Sequence, residues 1–151
     1  MAFIDTFKKK IVGYHVGTSC KAQDMVFALD WVIRVEAPDL KKLRIRSDNG
    51  TQMTSNKFKN YVDFRNVEHE FTPPSSPNQN AYIESFFSIV ETELLQHSYF
   101  ETFGDAYKEV VEFMRHYHRD RLHGSLNYLT PVEFENDWNE KEKMLEEKLR
   151  A

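Results

Sequence analysis

Three of the chain's five prolines fall within five residues, at Pro73, Pro74 and Pro77, in the stretch Thr72-Pro73-Pro74-Ser75-Ser76-Pro77-Asn78-Gln79-Asn80. Proline removes a backbone donor and restricts the residue before it, so neither helix nor strand can run through this stretch. It reads as a loop that feeds a helix. The loop separates a first half of short strands and helices from a second half that is helical.

Before the loop, Ala2-Phe3-Ile4 and Ile11 to Val16 are β-prone segments around a polar turn that carries Lys8-Lys9-Lys10, the pattern of a hairpin. Apolar residues at Ala22, Met25, Val26, Leu29, Val32 and Ile33 repeat at the three-and-four spacing of an amphipathic helix. Thr18 or Ser19 is the candidate cap, and Pro38 lies beyond the end. Leu43 to Asp48 alternates as a short strand that the Asn49-Gly50 turn signal ends, so Asp48 falls at a strand's carboxyl end. A helix over Ser55 to Phe64 and a brief strand at His69-Glu70-Phe71 complete this half.

After the loop, a helix from about Ala81 to Leu95 buries Ile83, Phe86, Phe87, Val90 and Leu94. A longer one runs from Phe103 to about Tyr117, opened by Thr102 with Asp105 three residues on. The last begins at Thr130-Pro131-Val132-Glu133, where cap, N1 proline and N3 acid coincide, and its Glu/Lys-rich end is solvated or frayed. The aromatics Phe86, Phe87, Phe103, Tyr107, Phe113 and Tyr117 are assigned to an interhelical core, with Trp138 anchoring the terminal helix. Strands followed and separated by helices imply an α/β sheet flanked by helices.

Of 151 residues, 40% are hydrophobic and 29% charged, which suits one folded domain and excludes disordered and collagen-like chains. No apolar run approaches the roughly 18 residues of a membrane span. The first residues lack the basic leader and apolar stretch of a secretory signal, and the single Cys20 has no partner for an intrachain disulfide. The cytoplasm is the expected setting, with no membrane partner. The net charge of −4 argues against an indiscriminately basic nucleic-acid binder. Of 24 acids and 20 bases, seven acids and four bases lie between Glu133 and Ala151, so the preceding 17 and 16 nearly balance and leave room for a local basic surface.

Asp48 and Glu84 are the candidate reactive pair. Ligand sites in open α/β sheets gather beyond the carboxyl ends of strands, and Glu84 lies on the first turn of the helix after the proline loop, where the helix dipole favours an anion. Hard divalent cations take oxygen ligands, and two of them clamp the attacking and leaving oxygens of a phosphodiester. From the residues alone, a turn aspartate and a helix-start glutamate remain the alternative.

Three motifs in order narrow the choice. Ser47-Asp48-Asn49-Gly50-Thr51-Gln52, then Ser76-Pro77-Asn78-Gln79-Asn80-Ala81-Tyr82-Ile83-Glu84-Ser85-Phe86-Phe87, then His123-Gly124-Ser125-Leu126-Asn127-Tyr128-Leu129-Thr130-Pro131-Val132-Glu133-Phe134, resemble the catalytic core of bacterial insertion-sequence transposases related to retroviral integrases. Thirty-five residues separate Asp48 from Glu84, the spacing of the Asp-Asp-35-Glu superfamily. The resemblance covers nearly the whole chain. It implies an α/β, ribonuclease-H-like mixed sheet flanked by helices and truncated at the N-terminus. Residues 1–132 are then a partial transposase/integrase catalytic core, and 133–151 an acidic helical extension.

By the resemblance, Asp48 and Glu84 match the second and third members of a catalytic triad that holds Mg²⁺ or Mn²⁺, while the first member belongs on a central strand upstream of the segment resembling Ala2 to Val16. Asp5 matches a commonly acidic position after that strand and reads as a turn residue. The expected partners are DNA, as transposon ends and target, and a second copy in a homodimer; the expected setting is bacterial, on the nucleoid when DNA is bound. Expected DNA contacts are Lys42, Arg46, Gln79, Asn80, Arg119 and Arg121, with Lys8-Lys9-Lys10, Lys41 and Arg44 as supplementary candidates. Helix capping is the alternative for Gln79 and Asn80, and a local structural role for Arg115, His116, His118, Arg119, Arg121 and His123. Those histidines make no zinc signature.

Glu91, seven residues after Glu84 and on nearly the same helical face, stands where related enzymes usually carry a lysine near the phosphates. A carboxylate there repels phosphate unless a metal or base intervenes; a solvated or salt-bridged glutamate is the alternative reading. Loss of one acid and this substitution favour a chain that is inactive by itself, so two readings stand: a transposase catalytic-domain fragment for divalent-metal-dependent strand cleavage and transfer, or a noncatalytic remnant that binds DNA weakly or self-associates.

Overall fold

The computed structural model describes residues 1–36, 39–73 and 80–150. Among the described residues, four strands and six α-helices follow one another: β1 (Ala2–Ile4), β2 (Ile11–Tyr14), α1 (Ala22–Val35), β3 (Arg44–Ser47), α2 (Thr51–Thr54), α3 (Asn56–Phe64), β4 (Glu68–Phe71), α4 (Ala81–Ile89), α5 (Phe103–Arg119) and α6 (Pro131–Arg150). The chain divides into two compact units. The first comprises Met1–Ile4 and Val12–Gln96, the second Asp5–Ile11 and the chain from His97 on.

In the first unit, α1 supplies Met25, Val26, Leu29, Val32 and Ile33 to a core completed by Ile45 of β3, Phe58 and Val62 of α3, and Val67. Phe58 is fully buried and Leu29 is 1% exposed. The predicted helix is thus present and two residues longer. Its start differs from the Thr18 or Ser19 expectation: the N-cap is Lys21, whose backbone N–H donates to the Asp24 carboxylate at 2.8 Å. An acid at the third helical position satisfies the N-cap N–H, although no hydroxyl caps the first turn. In α3 the Ser55 hydroxyl accepts from the Phe58 N–H at 3.2 Å. Asn66, at φ 53°, then turns the chain into β4, a left-handed position that asparagine tolerates.

β3 and β4 pair in parallel, with Arg44 opposite Glu68, Ile45 opposite His69, Arg46 opposite Glu70 and Ser47 opposite Phe71. Alternation sends Ile45 and Ser47 inward and leaves Arg44 and Arg46 exposed. β1 and β2 form a separate pair. Met1 and His15 exchange backbone bonds at one end and the Asp5 N–H donates to Lys10 at the other, the falling partner number of an antiparallel hairpin. Among the described residues no ladder joins the two pairs, although Phe3 of β1 and Ile45 of β3 share the same core. The single mixed sheet expected from the sequence is therefore present as two halves.

The predicted helix from Ala81 to Leu95 is α-helical only to Ile89. Val90–Leu94 is a π turn and Leu95–His97 a 3₁₀ turn. The Thr92 hydroxyl donates back to the Ser88 carbonyl at 2.9 Å, the kind of side-chain competition that bends a helix.

In the second unit, α5 carries a reciprocal cap between Thr102 and Asp105, and α6 one between Thr130 and Glu133, with Pro131 as first helical residue. Both were legible as capping signals. Phe7 packs edge-on against Trp138 and Phe134, at 4.7 and 5.3 Å between ring centroids, so Trp138 does anchor α6. The aromatic core assignment needs correction: Phe86, Phe113 and Tyr117 are buried, but Phe87, Phe103 and Tyr107 are exposed. Periodicity places an aromatic on a face; it does not say over what length a partner covers that face. From Asn139 to Arg150, α6 is exposed on every side.

Gly13 in β2 is required by close approach. A Cβ there would lie 2.5 Å from Val32 Cγ2 and 2.9 Å from the Ala28 carbonyl oxygen of α1. Gly13→Ala is expected to destabilise the protein by about 1–3 kcal/mol through overpacking, measured as a lower urea midpoint with an unchanged slope.

Candidate functional site

Asp48 follows the last residue of β3 directly, and its position is built by the strand. Ile45 is inserted into the core three positions before Asp48, Ser47 is 4% exposed, and Asp48 then emerges into solvent. Three bonds tie this strand end to the end of β4. The Thr72 N–H donates to the Ser47 carbonyl at 2.8 Å, the Asn49 amide donates to the Thr72 carbonyl at 3.1 Å, and the Ser47 hydroxyl lies 2.8 Å from His69 Nε2. The carboxylate folds over its own turn: Asp48 Oδ1 accepts from the Gly50 N–H at 2.9 Å. Gly50 permits that approach, since a Cβ there would stand 2.9 Å from Oδ1. Among the described residues the second oxygen of Asp48 makes no hydrogen bond or ion pair.

Glu84 lies on the first turn of α4 and is exposed; among the described residues its carboxylate has no partner either. Asn80 occupies the N-cap position, but its side chain makes no capping bond. Gln79 lies outside the described residues. Glu91 is exposed as the second residue of the π turn, so the seven-residue relation to Glu84 crosses from α to π geometry instead of following one helical face.

Asp48, Glu84, Lys42, Arg46 and Asn80 all belong to the first unit, and Arg119 and Arg121 to the second. Lys42 is exposed and stands 3.7 Å from Asp39. Arg46 is engaged: its guanidinium meets Glu70 at 2.9 Å, and Arg44 meets Glu68 at 2.9 Å and Glu70 at 3.7 Å. The parallel register places these opposite charges side by side. Arg119 is exposed at the end of α5. Among the described residues, no group of three or more His, Cys, Asp or Glu side chains is arranged to hold a metal ion. Asp48 and Glu84 each present carboxylate oxygens, the kind of hard donor that Mg²⁺ or Mn²⁺ prefers.

In the second unit, many of the sequence's basic candidates have structural partners. Glu135 receives Lys8 at 2.8 Å and Lys10 at 3.1 Å. Lys9 bonds the Thr6 carbonyl. Arg115 meets Glu112 at 3.0 Å and His116 meets Asp120 at 3.4 Å. The Ile11 N–H donates to His118 Nε2 at 3.0 Å, which requires the neutral ring. Burial, with Lys10 adding to it, pushes His118 down to about 4. Burial and then Arg121 hold His123 below its ordinary range, against a ring N–H bond to the Tyr117 carbonyl that raises it. Burial opposes ionisation of Glu135, but Lys8 and Lys10 outweigh it and keep its pKa low.

Sequence reading did not find the contact between Ser47 and His69. Alternation puts Ile45 and Ser47 on one face, but that His69 stands opposite Ile45 is set by the strand register, which the sequence does not give.

The architecture, with a carboxylate at a strand end and another at a helix start, is that of a ribonuclease-H-like α/β core. The fold matches the catalytic core domain of BIV integrase at a TM-score of 0.66 and 16% identity, covering 93% of this chain and 86% of that one. Two forms of the integrase core domain match the sequence, one over residues 1–77 and one over residues 65–131. The chain belongs to the integrase core domain family. It is similar to the transposase of insertion sequence element IS904 from Lactococcus lactis, at 28% identity over 135 residues, 87% of this chain and 52% of that protein. It is also similar to the 31.7 kDa protein of insertion element IS407 from Burkholderia multivorans, at 29% identity over 134 residues, 89% of this chain and 47% of that one. The chain spans about half the length of each of these relatives. Among the described residues, no helix is long and apolar enough to cross a membrane.

Two outcomes follow from this geometry. In the unfolded chain His118 takes up a proton near pH 6.5, but in the folded one only at about 4. The unfolded state therefore binds more protons between these values, and stability falls as pH drops from about 6.5 to about 4. His118→Gln should flatten part of that slope in thermal unfolding, with the like-signed shifts of His69 and His123 supplying the remainder. Separately, the Thr72 hydroxyl is buried with no hydrogen-bond partner among the described residues. Thr72→Val should raise stability by about 1 kcal/mol in urea unfolding, because it removes an unsatisfied buried group at nearly constant shape.

Proposed function

We propose that Asp48 and Glu84 are the second and third carboxylates of a divalent-metal site for phosphoryl transfer on DNA, and that the chain contributes the catalytic domain of an insertion-sequence transposase. The observation that carries this reading is the pair itself. By the resemblance the two acids match the family's second and third positions, with 35 residues between them, and both keep carboxylate oxygens free among the described residues, while acids such as Glu68, Glu70, Glu112 and Glu135 are bound in ion pairs. Membership of the integrase core domain family and similarity to the IS904 transposase support it.

A bound Mg²⁺ or Mn²⁺ would polarise the scissile phosphate and lower the pKa of an attacking water or 3′-hydroxyl. The chain's own part is to hold ligands at fixed positions. Asp48 offers Oδ2 while Gly50 pins Oδ1, and Glu84 offers its carboxylate beside the positive end of α4. Lys42, Asn80, Arg119 and Arg121, with Arg46 once it leaves Glu70, are assigned to the DNA backbone, Gln79 to the same role on sequence grounds. Two carboxylates without a third hold two cations poorly, so these 151 residues by themselves are expected to cleave and join DNA weakly or not at all. A homodimer and a cytoplasmic, DNA-associated setting belong to the same reading.

The test is a calorimetric Mn²⁺ titration of the folded protein near neutral pH. Binding at millimolar concentration or tighter, weakened in both Asp48→Asn and Glu84→Gln, is the expected result. Absence of binding in a folded protein overturns the metal site and leaves a noncatalytic remnant as the account of this chain.

A further inference from the structure

His69 projects from β4 onto the inner face, between Phe58 and Phe71, with ring centroids 5.4 and 4.3 Å away. Its Nε2 lies 2.8 Å from the Ser47 hydroxyl oxygen. That hydroxyl lies equally close, 2.8 Å, to the backbone carbonyl of Asp48. A serine hydroxyl has one proton to give, and a carbonyl can only accept. The proton therefore goes to the Asp48 carbonyl, and His69 Nε2 must be the donor to Ser47. The resulting chain, His69 Nε2–H to Ser47 Oγ–H to Asp48 C=O, ends on the residue whose carboxylate is offered to metal.

We propose that His69 is a positioning residue for Asp48, acting through Ser47 to fix the peptide that follows β3 and so the direction of the Asp48 carboxylate. Two features of the site make the link effective. Ser47 is 4% exposed, so water does not replace a lost donor easily. The Asp48 carboxylate is also held from the other side by the Gly50 N–H, so a rotation of the Asp48 peptide shifts both ends of that short turn. Burial and then Lys59 keep the His69 ring toward its neutral form, in which the tautomer decides which nitrogen donates. The value of this chain to catalysis rests on the metal reading proposed above; its geometry does not.

Three measurements test it. In the metal-free protein, long-range ¹⁵N–¹H correlation spectra of the imidazole should show neutral His69 as the Nε2–H tautomer; the Nδ1–H tautomer overturns the proposal. In His69→Phe, which keeps an aromatic ring between Phe58 and Phe71 but removes the donor, the Gly50 amide resonance should move; an unmoved resonance overturns the proposal. In the Mn²⁺ titration, His69→Phe and Ser47→Ala should each weaken binding about tenfold, at the low end for residues that orient a metal ligand, and the double variant should be no worse than either single one. Wild-type affinity in His69→Phe, with binding lost in Asp48→Asn, overturns the positioning role and leaves the metal site standing. No binding in the wild type overturns the metal site instead, and the tautomer and the Gly50 resonance then decide for or against His69. If His69→Phe does not fold, the tautomer in the unaltered protein still decides.

Discussion

The parallel pairing of β3 with β4 is the constraint on which the rest of the first unit depends. Its register puts Ile45 into the core with Leu29 and Phe58, sets Ser47 beside His69, and delivers Asp48 to solvent one residue later. A slip of one residue would invert every side chain of β3, turning Arg44 and Arg46 into the core and Ile45 out of it. Placement of the candidate carboxylate and burial of the core are thus one requirement. The crossover through α2 and α3 serves it too, because parallel strands cannot be joined by a tight turn and α3 returns Phe58 and Val62 to the same core.

Much of this was legible in the sequence, for reasons that differ by element. The periodicity of α1, the Ser55, Thr102 and Thr130 starts and the Asn49-Gly50 stop are local signals, and local signals survive into the fold. The π turn at Val90–Leu94 was not legible, since it lies inside an apparently continuous apolar pattern; Thr92 within it bonds back to the Ser88 carbonyl. Exposure of Phe103 and Tyr107 was hidden for another reason: burial depends on what lies opposite, and α5 is covered only around Phe113, Met114 and Tyr117.

The candidate site divides along the same line. Asp48 and Glu84 could be named as candidates because their spacing and flanking motifs are written in the chain. Their supports, Ser47 and His69, are 22 residues apart and become neighbours only through strand register. The basic residues show the opposite case. Lys8, Lys10, Arg44 and Arg46 were conspicuous as charge, yet each is matched in space to a carboxylate that sequence order does not reveal. Charge counted along a chain overstates the charge a partner would meet.

That matching bears on how nucleic acid would be held at the β3–β4 face. A free arginine that meets a phosphate releases a condensed counterion, and this release is what makes binding steeply salt-dependent. Arg44 and Arg46 begin with anions of their own, Glu68 and Glu70. Moving to phosphate exchanges one anion for another and leaves a carboxylate that must recruit a cation from solution. Contacts made by these two arginines would therefore add little to the salt slope and would favour a backbone whose geometry outcompetes a carboxylate already in place. Were DNA to bind at this face, the ladder would act as a threshold, admitting a well-fitted strand and giving little to diffuse polyanion attraction.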